Sequence, residues 1–375
     1  MFGIKIHLSK LDLNSSIYFG GDKMASTERS GKIQTVLGLI EPDELGITLT
    51  HEHALIDLSC YFVMPEEATE RWYIDKPVTM DIRGNIGKRW SHNKDIQLLI
   101  DEKHQTEEVY KYYLAGGNSF VDTTSIGIGR DPLALSRMSR ATGLNIIMGA
   151  SHYVPVSYPE DMDERSEQQI TDQIIGDITV GVKDTGVKSG IIGEVGNFWP
   201  TNETSRKILR ASANASVETG SAILIHPGFH PDAPMHHIND LIEAGADPSR
   251  IIMGHLDTFP DMEVIKQVAE TGAYLEYDTF GNEDTVWGAV ADQPIFIPTD
   301  VQRMQRIEQL IEWGFESQIV IAQDVCFKSG ITSHGGKGYA HILESIVPRM
   351  RKRGFSNQNI DNILIENPKR ILTFK

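Results

Sequence analysis

The stretch Thr50-His51-Glu52-His53 closes an apolar run, "LGITLTHEH". Alternation along an extended backbone puts its two histidines on the same side of one strand. Other apolar runs end on Asp122, Glu194, His226, His255, Asp278 and Asp324. A lone histidine after such a run is ordinarily a hydrogen-bonded core or rim residue, but four at strand ends, joined by carboxylates, make a metal-ligand inventory. Imidazole and carboxylate suit zinc or a similar divalent ion, and His51, His53, Glu194, His226, His255 and Asp324 are more ligands than one ion needs. Two ions held together would activate water against a polarised bond. Asp122 and Asp278 fit equally a place among the ligands and a lesser role, as a helix cap or a partner that orients a ligand.

Residues so far apart in the chain can meet only if the elements carrying them converge. Eight short runs rich in β-branched residues, 46–53, 119–124, 145–150, 189–195, 222–227, 250–255, 273–278 and 318–324, alternate with segments of helical period. Most are almost continuously apolar, as strands covered on both faces must be. "DPLALSRMSRATG" has Asp131 as N-cap, Pro132 at the first helical position and Gly143 at the stop. Val301, Met304, Ile307, Leu310 and Ile311 form one helical face, and Ile342, Leu343, Ile346, Val347 and Met350 another. The pattern predicts an α/β protein, an eightfold β/α (TIM) barrel, in which the C-terminal strand ends share one mouth. The segment 61–94 is too long for an ordinary connection and is expected to fold over that mouth as an insertion. Residues 1–30 read as an N-terminal extension without order of its own, and residues 31–375 as the barrel.

With 375 residues, 40% hydrophobic and 23% charged, the chain has ample material for a core. A formal net charge of −17 argues against nucleic acid or an anionic membrane as partner, leaving a small-molecule substrate. Cys60 and Cys326 are too few for a disulfide framework, and no C-x-x-C pair offers a thiolate site. The first thirty residues are interrupted by charge too often for a signal peptide, so the expected location is cytoplasmic.

"GKIQTVLGLIEPDELGITLTHEHAL", "SGIIGEVG", "ILIHPGFH", "IIMGHLDTF" and "QDVCFKSGITSHGGKGYAHI" resemble, in order, the phosphotriesterase-related branch of the amidohydrolase superfamily, across residues 31–375. The resemblance implies a binuclear centre of two divalent ions, usually Zn2+. His51, His53 and Asp324 would hold the more buried ion and His226 and His255 the more exposed one. Where phosphotriesterases bridge the metals with a carboxylated lysine, "IIGEVG" offers Glu194, which supplies the same charge on a shorter stem; Lys188 lies before the run and is a poor substitute. Where they carry aspartate then histidine after the seventh strand, this chain reads Asp278-Thr279, which argues against efficient organophosphate hydrolysis.

By the same resemblance, Asp324 would take a proton from the attacking hydroxide and pass it to the leaving group, with Asp257 and Asp278 relaying it or orienting His255. The related animal group is linked to deacylation of N-acetylated taurine, so the expected substrate is an N-acyl amide of a small acid. A lactone or carboxyl ester is the alternative, and a non-catalytic small-molecule-binding barrel is the alternative from another class. An acidic substrate needs a cationic partner, and Arg130, Lys328 and Lys337 follow strand ends, as does the pocket candidate Tyr153. Trp72, Tyr73 and Trp90, in the insertion, could line a pocket or pack in the core. Relatives are often dimers, and a homodimer is the assembly the resemblance implies.

Overall fold

The computed structural model describes residues 28–86, 89–283 and 295–375. Most of the N-terminal extension therefore lies outside the described residues. Eight strands follow one another around a single parallel sheet: β1 (Thr48–Glu52), β2 (Ser119–Asp122), β3 (Asn145–Ala150), β4 (Ile191–Gly196), β5 (Ile223–His226), β6 (Ile251–Met253), β7 (Tyr274–Tyr277) and β8 (Ile319–Ile321). Each falls within or at the edge of one of the eight apolar runs. Register is regular where both neighbours are apolar, as in Phe120 opposite Ile146 and Ile251 opposite Ile223. It shifts in β4 between Ile192 and Val195, beside Glu194.

The ladder stops short between β8 and β1, and a side chain closes the seam. The Glu52 carboxylate accepts the backbone N–H groups of Gln323 (2.8 Å) and Val325 (3.0 Å), while the Asp324 N–H donates to the His51 carbonyl at 3.2 Å. In "THEH", then, the middle residue faces away from its two neighbours and fastens the barrel. The sheet becomes a nearly closed barrel, the architecture expected from the eight runs.

Helices α1 (Glu102–Leu114), α2 (Pro132–Thr142), α3 (Glu167–Thr179), α4 (Glu203–Thr219), α5 (Ala233–Glu243), α6 (Met262–Glu270) and α7 (Asp300–Glu312) cover the outside. In α2 the Asp131 carboxylate accepts the Ala134 N–H at 3.0 Å, and Gly143 ends the helix in the left-handed region at φ 79°. Met304, Ile307 and Leu310 of α7 are buried, whereas Val301 stays 46% exposed, the first turn burying Asp300 and Arg303 instead.

The N-terminal half of the barrel is filled by Val121, Ile147, Ile191, Leu224, Ile252 and Val320. Ile33, from a hairpin of Ile33–Thr35 and Gly38–Ile40, closes that end together with Leu45 and Ile371. The period of two then carries the inward face upward, from Ala222 and Leu224 to His226, and from Tyr274 through Glu276 to Asp278. The apolar floor and the polar mouth are the two ends of the same strands.

Candidate metal centre

His51, His53, Glu194, His226, His255 and Asp324, drawn from five strands and the turns that follow them, converge in one buried cluster. His51 is the deepest and has no exposed surface. Its Nε2 lies 3.6 Å from Glu194 Oε2 and 4.0 Å from Asp324 Oδ1. His53 Nε2 lies 3.3 Å from Asp324 Oδ1 and 3.9 Å from Glu194 Oε2. On the other side, Glu194 Oε1 is 2.8 Å from His226 Nδ1 and 3.2 Å from His255 Nε2. The two oxygens of Glu194 thus address different histidine pairs, with His51 and His53 on one side and His226 and His255 on the other.

Two features of the chain itself test whether this donor set suits a cation. His51 Nδ1 faces the Glu276 and Asp278 carboxylates, each at 3.1 Å, so in the neutral ring the proton sits there and Nε2 carries the lone pair. That Nε2 is buried without a hydrogen-bond partner. His255 is held the same way, with Nδ1 donating to Asp278 Oδ1 at 2.9 Å and its backbone N–H donating to Asp278 Oδ2 at 2.9 Å. Its Nε2 lone pair lies 2.8 Å from His226 Nδ1. Carboxylates behind the rings and lone pairs in front are the arrangement by which proteins orient metal-binding imidazoles. The residues fit divalent ions.

The electrostatics follow. Burial alone would raise the Asp278 carboxyl, but His255 and then His51 outweigh it and hold it below the ordinary range. Glu194 behaves likewise, with His51, His226 and His255 overcoming burial to keep it ionised. Glu276, by contrast, is pushed up, because burial exceeds the help from His51.

A pocket opens above the cluster, with His53, Glu194, His226, His255 and Asp324 on its floor. Its walls are apolar and aromatic: Tyr61 and Trp90 from the segment 61–94, Tyr153 after β3, Phe198 and Trp199 after β4, Phe229 after β5 and Phe327 after β8. Tyr153 packs edge-on over His226, with ring centroids 5.3 Å apart. The other two aromatics expected near the mouth divide, with Tyr73 buried in the core and Trp72 52% exposed.

Several expected residues are placed elsewhere. Arg130 is turned away from the pocket into an ion pair with Asp177 of α3 (2.8 Å) and donates to the Gly149 carbonyl at 3.0 Å, because the nearest buried carboxylate lies between the helices. Lys328 pairs with Asp95 at 2.5 Å. Lys337 is exposed and lines a neighbouring groove with Arg83, which meets the pocket only at Asp324, Cys326 and Phe327. No lysine or arginine among the described residues lines the pocket itself. Asp257 is bound to Arg303 (2.7 Å) and to the Thr279 hydroxyl, in a fully buried ion pair behind the site. Asp122 accepts the Ala54 N–H at 2.8 Å and the Thr124 N–H at 3.2 Å, and burial pushes its carboxyl up to about 6.

Glu276 and Glu52 are the residues that sequence reasoning missed. Glu276 had a signal: a glutamate inside the apolar run "AYLEYD", two positions before Asp278 and therefore on the same face.

Comparison with known proteins agrees with this geometry. Residues 31–372 match the Phosphotriesterase family. The chain is 41% identical over 348 residues to N-acetyltaurine hydrolase of Xenopus tropicalis, covering 92% of this chain and 99% of that protein, and equally so to N-acetyltaurine hydrolase of Homo sapiens. Among solved structures, a resiniferatoxin-binding protein from Rhodobacter sphaeroides superposes with a TM-score of 0.87 at 31% identity, over 92% of this chain and 95% of that one. The chain belongs to the phosphotriesterase family.

Proposed function

We propose that this member of the phosphotriesterase family is a binuclear, zinc-dependent hydrolase that cleaves an N-acyl amide of a small acid, with N-acetyltaurine as the substrate to try first. The observation that carries the reading is Glu194, whose two carboxylate oxygens face two separate histidine pairs in one buried cluster. The relatives named N-acetyltaurine hydrolase, matched over nearly their whole length, support the choice of bond and substrate.

In this reading His51, His53 and Asp324 would hold one ion and His226 and His255 the other, with Glu194 available to both. Bound there, the ions would supply an activated water and polarise the scissile carbonyl. Asp278 fixes the ring of His255, and Asp278 and Glu276 together fix that of His51, so the ligands need no reorganisation as charge develops. Asp324 borders the pocket and would take a proton from the attacking water and return it to the leaving amine. Asp257, tied to Arg303 and accepting from the N–H and hydroxyl of Thr279, anchors the chain next to Asp278 rather than meeting substrate. Tyr61, Tyr153 and Trp90 exclude water around the acyl group.

A second reading is favoured by one observation: among the described residues the pocket walls carry no cation. An uncharged lactone or carboxyl ester would suit such walls better than a sulfonate. A parallel assay of N-acetyltaurine, an uncharged N-acetyl amide, a lactone and an aryl ester with zinc-loaded protein separates the two. Preference for N-acetyltaurine supports the amide reading; preference for the lactone or ester, with no amide turnover, replaces it.

A further inference from the structure

At the opposite end of the barrel from the metal cluster, the hairpin, α2, the end of α3 and the turn before β4 enclose a groove of about 700 Å3. Four cations line it, Arg29, Arg137, Arg140 and Lys188, against a single acid, Glu28. In a chain with a formal net charge of −17 such a convergence runs against the general field. Arg137 is already neutralised by a two-pronged pair with Glu102, both contacts at 2.7 Å. Arg140 makes only a hydrogen bond to the Ser136 carbonyl at 3.4 Å.

Arg29 is the telling residue. It is 6% exposed, and its Nε is buried with no hydrogen-bond partner among the described residues. Its backbone is not loose: the Arg29 carbonyl accepts the Lys32 N–H at 2.9 Å, and Gly31 and Lys32 exchange backbone bonds of 2.9 Å with Phe374 near the C-terminus. Burial pulls the Arg29 guanidinium down and the neighbouring Glu28 only partly offsets it; the remaining cost is recovered when an anion supplies the missing acceptor.

We infer that this groove is a binding site for a small multivalent oxyanion, a phosphate group either free or as a monoester, held by Arg29, Lys188 and Arg140 and separate from the metal centre. Lys188 thereby finds a place that the bridging position denies it.

The test is calorimetric titration of the full-length, zinc-loaded protein with inorganic phosphate and with AMP, in wild type, Glu194→Ala and Arg29→Gln/Lys188→Gln. The Glu194→Ala protein removes any phosphate held at the metal centre and is expected to keep one salt-sensitive site. The double variant is expected to weaken that site by at least about tenfold, as loss of charged hydrogen bonds should, while acyl-substrate turnover stays at the wild-type level. AMP tighter than phosphate assigns the monoester, and equal affinity assigns the free ion. Arg29→Lys, which keeps the charge, is expected to retain binding and guards against misfolding of the glutamine variant. Undiminished phosphate binding in a folded double variant, or no binding of either probe to Glu194→Ala, overturns the inference.

Discussion

The two ends of this barrel are made by the same eight strands and obey different rules. At the N-terminal end, Leu224, Ile147, Ile252 and Val320 pack without a polar atom among their side chains. Left-handed backbone there falls mainly on glycines, such as Gly38 (φ 133°) in the hairpin and Gly46 (φ 64°) before β1, with Lys183 (φ 48°) before β4 as the exception. At the C-terminal mouth, Ser151 (φ 78°), His255 (φ 54°) and Asp324 (φ 48°) adopt positive φ with full side chains. Buried polar atoms without partners gather there too, among them His51 Nε2, Asp257 Oδ1 and Glu276 Oε1. Each non-glycine residue in that conformation costs about 1–3 kcal/mol. The floor carries stability that the mouth gives up in order to aim its ligands.

The sharpest way to break this contrast is at Glu194. Replacing outer partners of metal ligands already costs about 10–100-fold, so Glu194→Ala, which removes the shared carboxylate itself, is expected to lose well over 100-fold in turnover. Its melting temperature in the metal-free state should fall little. The mirror experiment is Leu224→Ala at the floor. It should cost about 2–5 kcal/mol of stability while kcat per folded molecule is unchanged. A Leu224→Ala protein that is stable but inactive would dissolve the division.

Asp278→Asn sharpens the contrast within the mouth. It keeps the shape but weakens the hold on His51 and His255, and should reduce metal affinity or turnover by about 10–100-fold. The smallest effect concerns Glu108 on α1, which clasps the loop after β8 by accepting from Thr332 and Ser333 and pairing with Lys111 at 2.8 Å. Burial alone would raise its carboxyl, yet Lys111, Thr332 and Ser333 outweigh it and hold it at about 2 against an ordinary 4.5. The unfolded chain therefore binds more protons between these values, so the clasp's contribution is complete above pH 4.5 and is lost as pH falls towards 2. Glu108→Gln should cost about 1–3 kcal/mol at neutral pH, and denaturant titrations should find that gap closing between pH 4.5 and 2.

Legibility in the sequence divides along the same line. Strands β2 to β8 were readable because burial on both faces leaves apolar runs interrupted mainly at strand ends, Glu276 inside β7 excepted, and the strand-end interruptions are the ligand candidates. What could not be read were pairings made across space. Arg130 sits at a strand end as a substrate contact would, yet its direction is set by Asp177, 47 residues away. Lys328 is claimed by Asp95 in the same way. Glu52 hid between two conspicuous histidines, since nothing local says that β8 lacks its ladder to β1. The aromatic walls come from five different segments, whose convergence the barrel decides and no local period records.

The most direct test of the account is metal content per chain, measured on wild type and Glu194→Ala after reconstitution with zinc, alongside hydrolysis of N-acetyltaurine. The account predicts two ions per wild-type chain with turnover, and loss of both bound stoichiometry and turnover in the variant. A Glu194→Ala protein that keeps two ions and full activity would contradict it, because the carboxylate between the two histidine pairs would then join nothing.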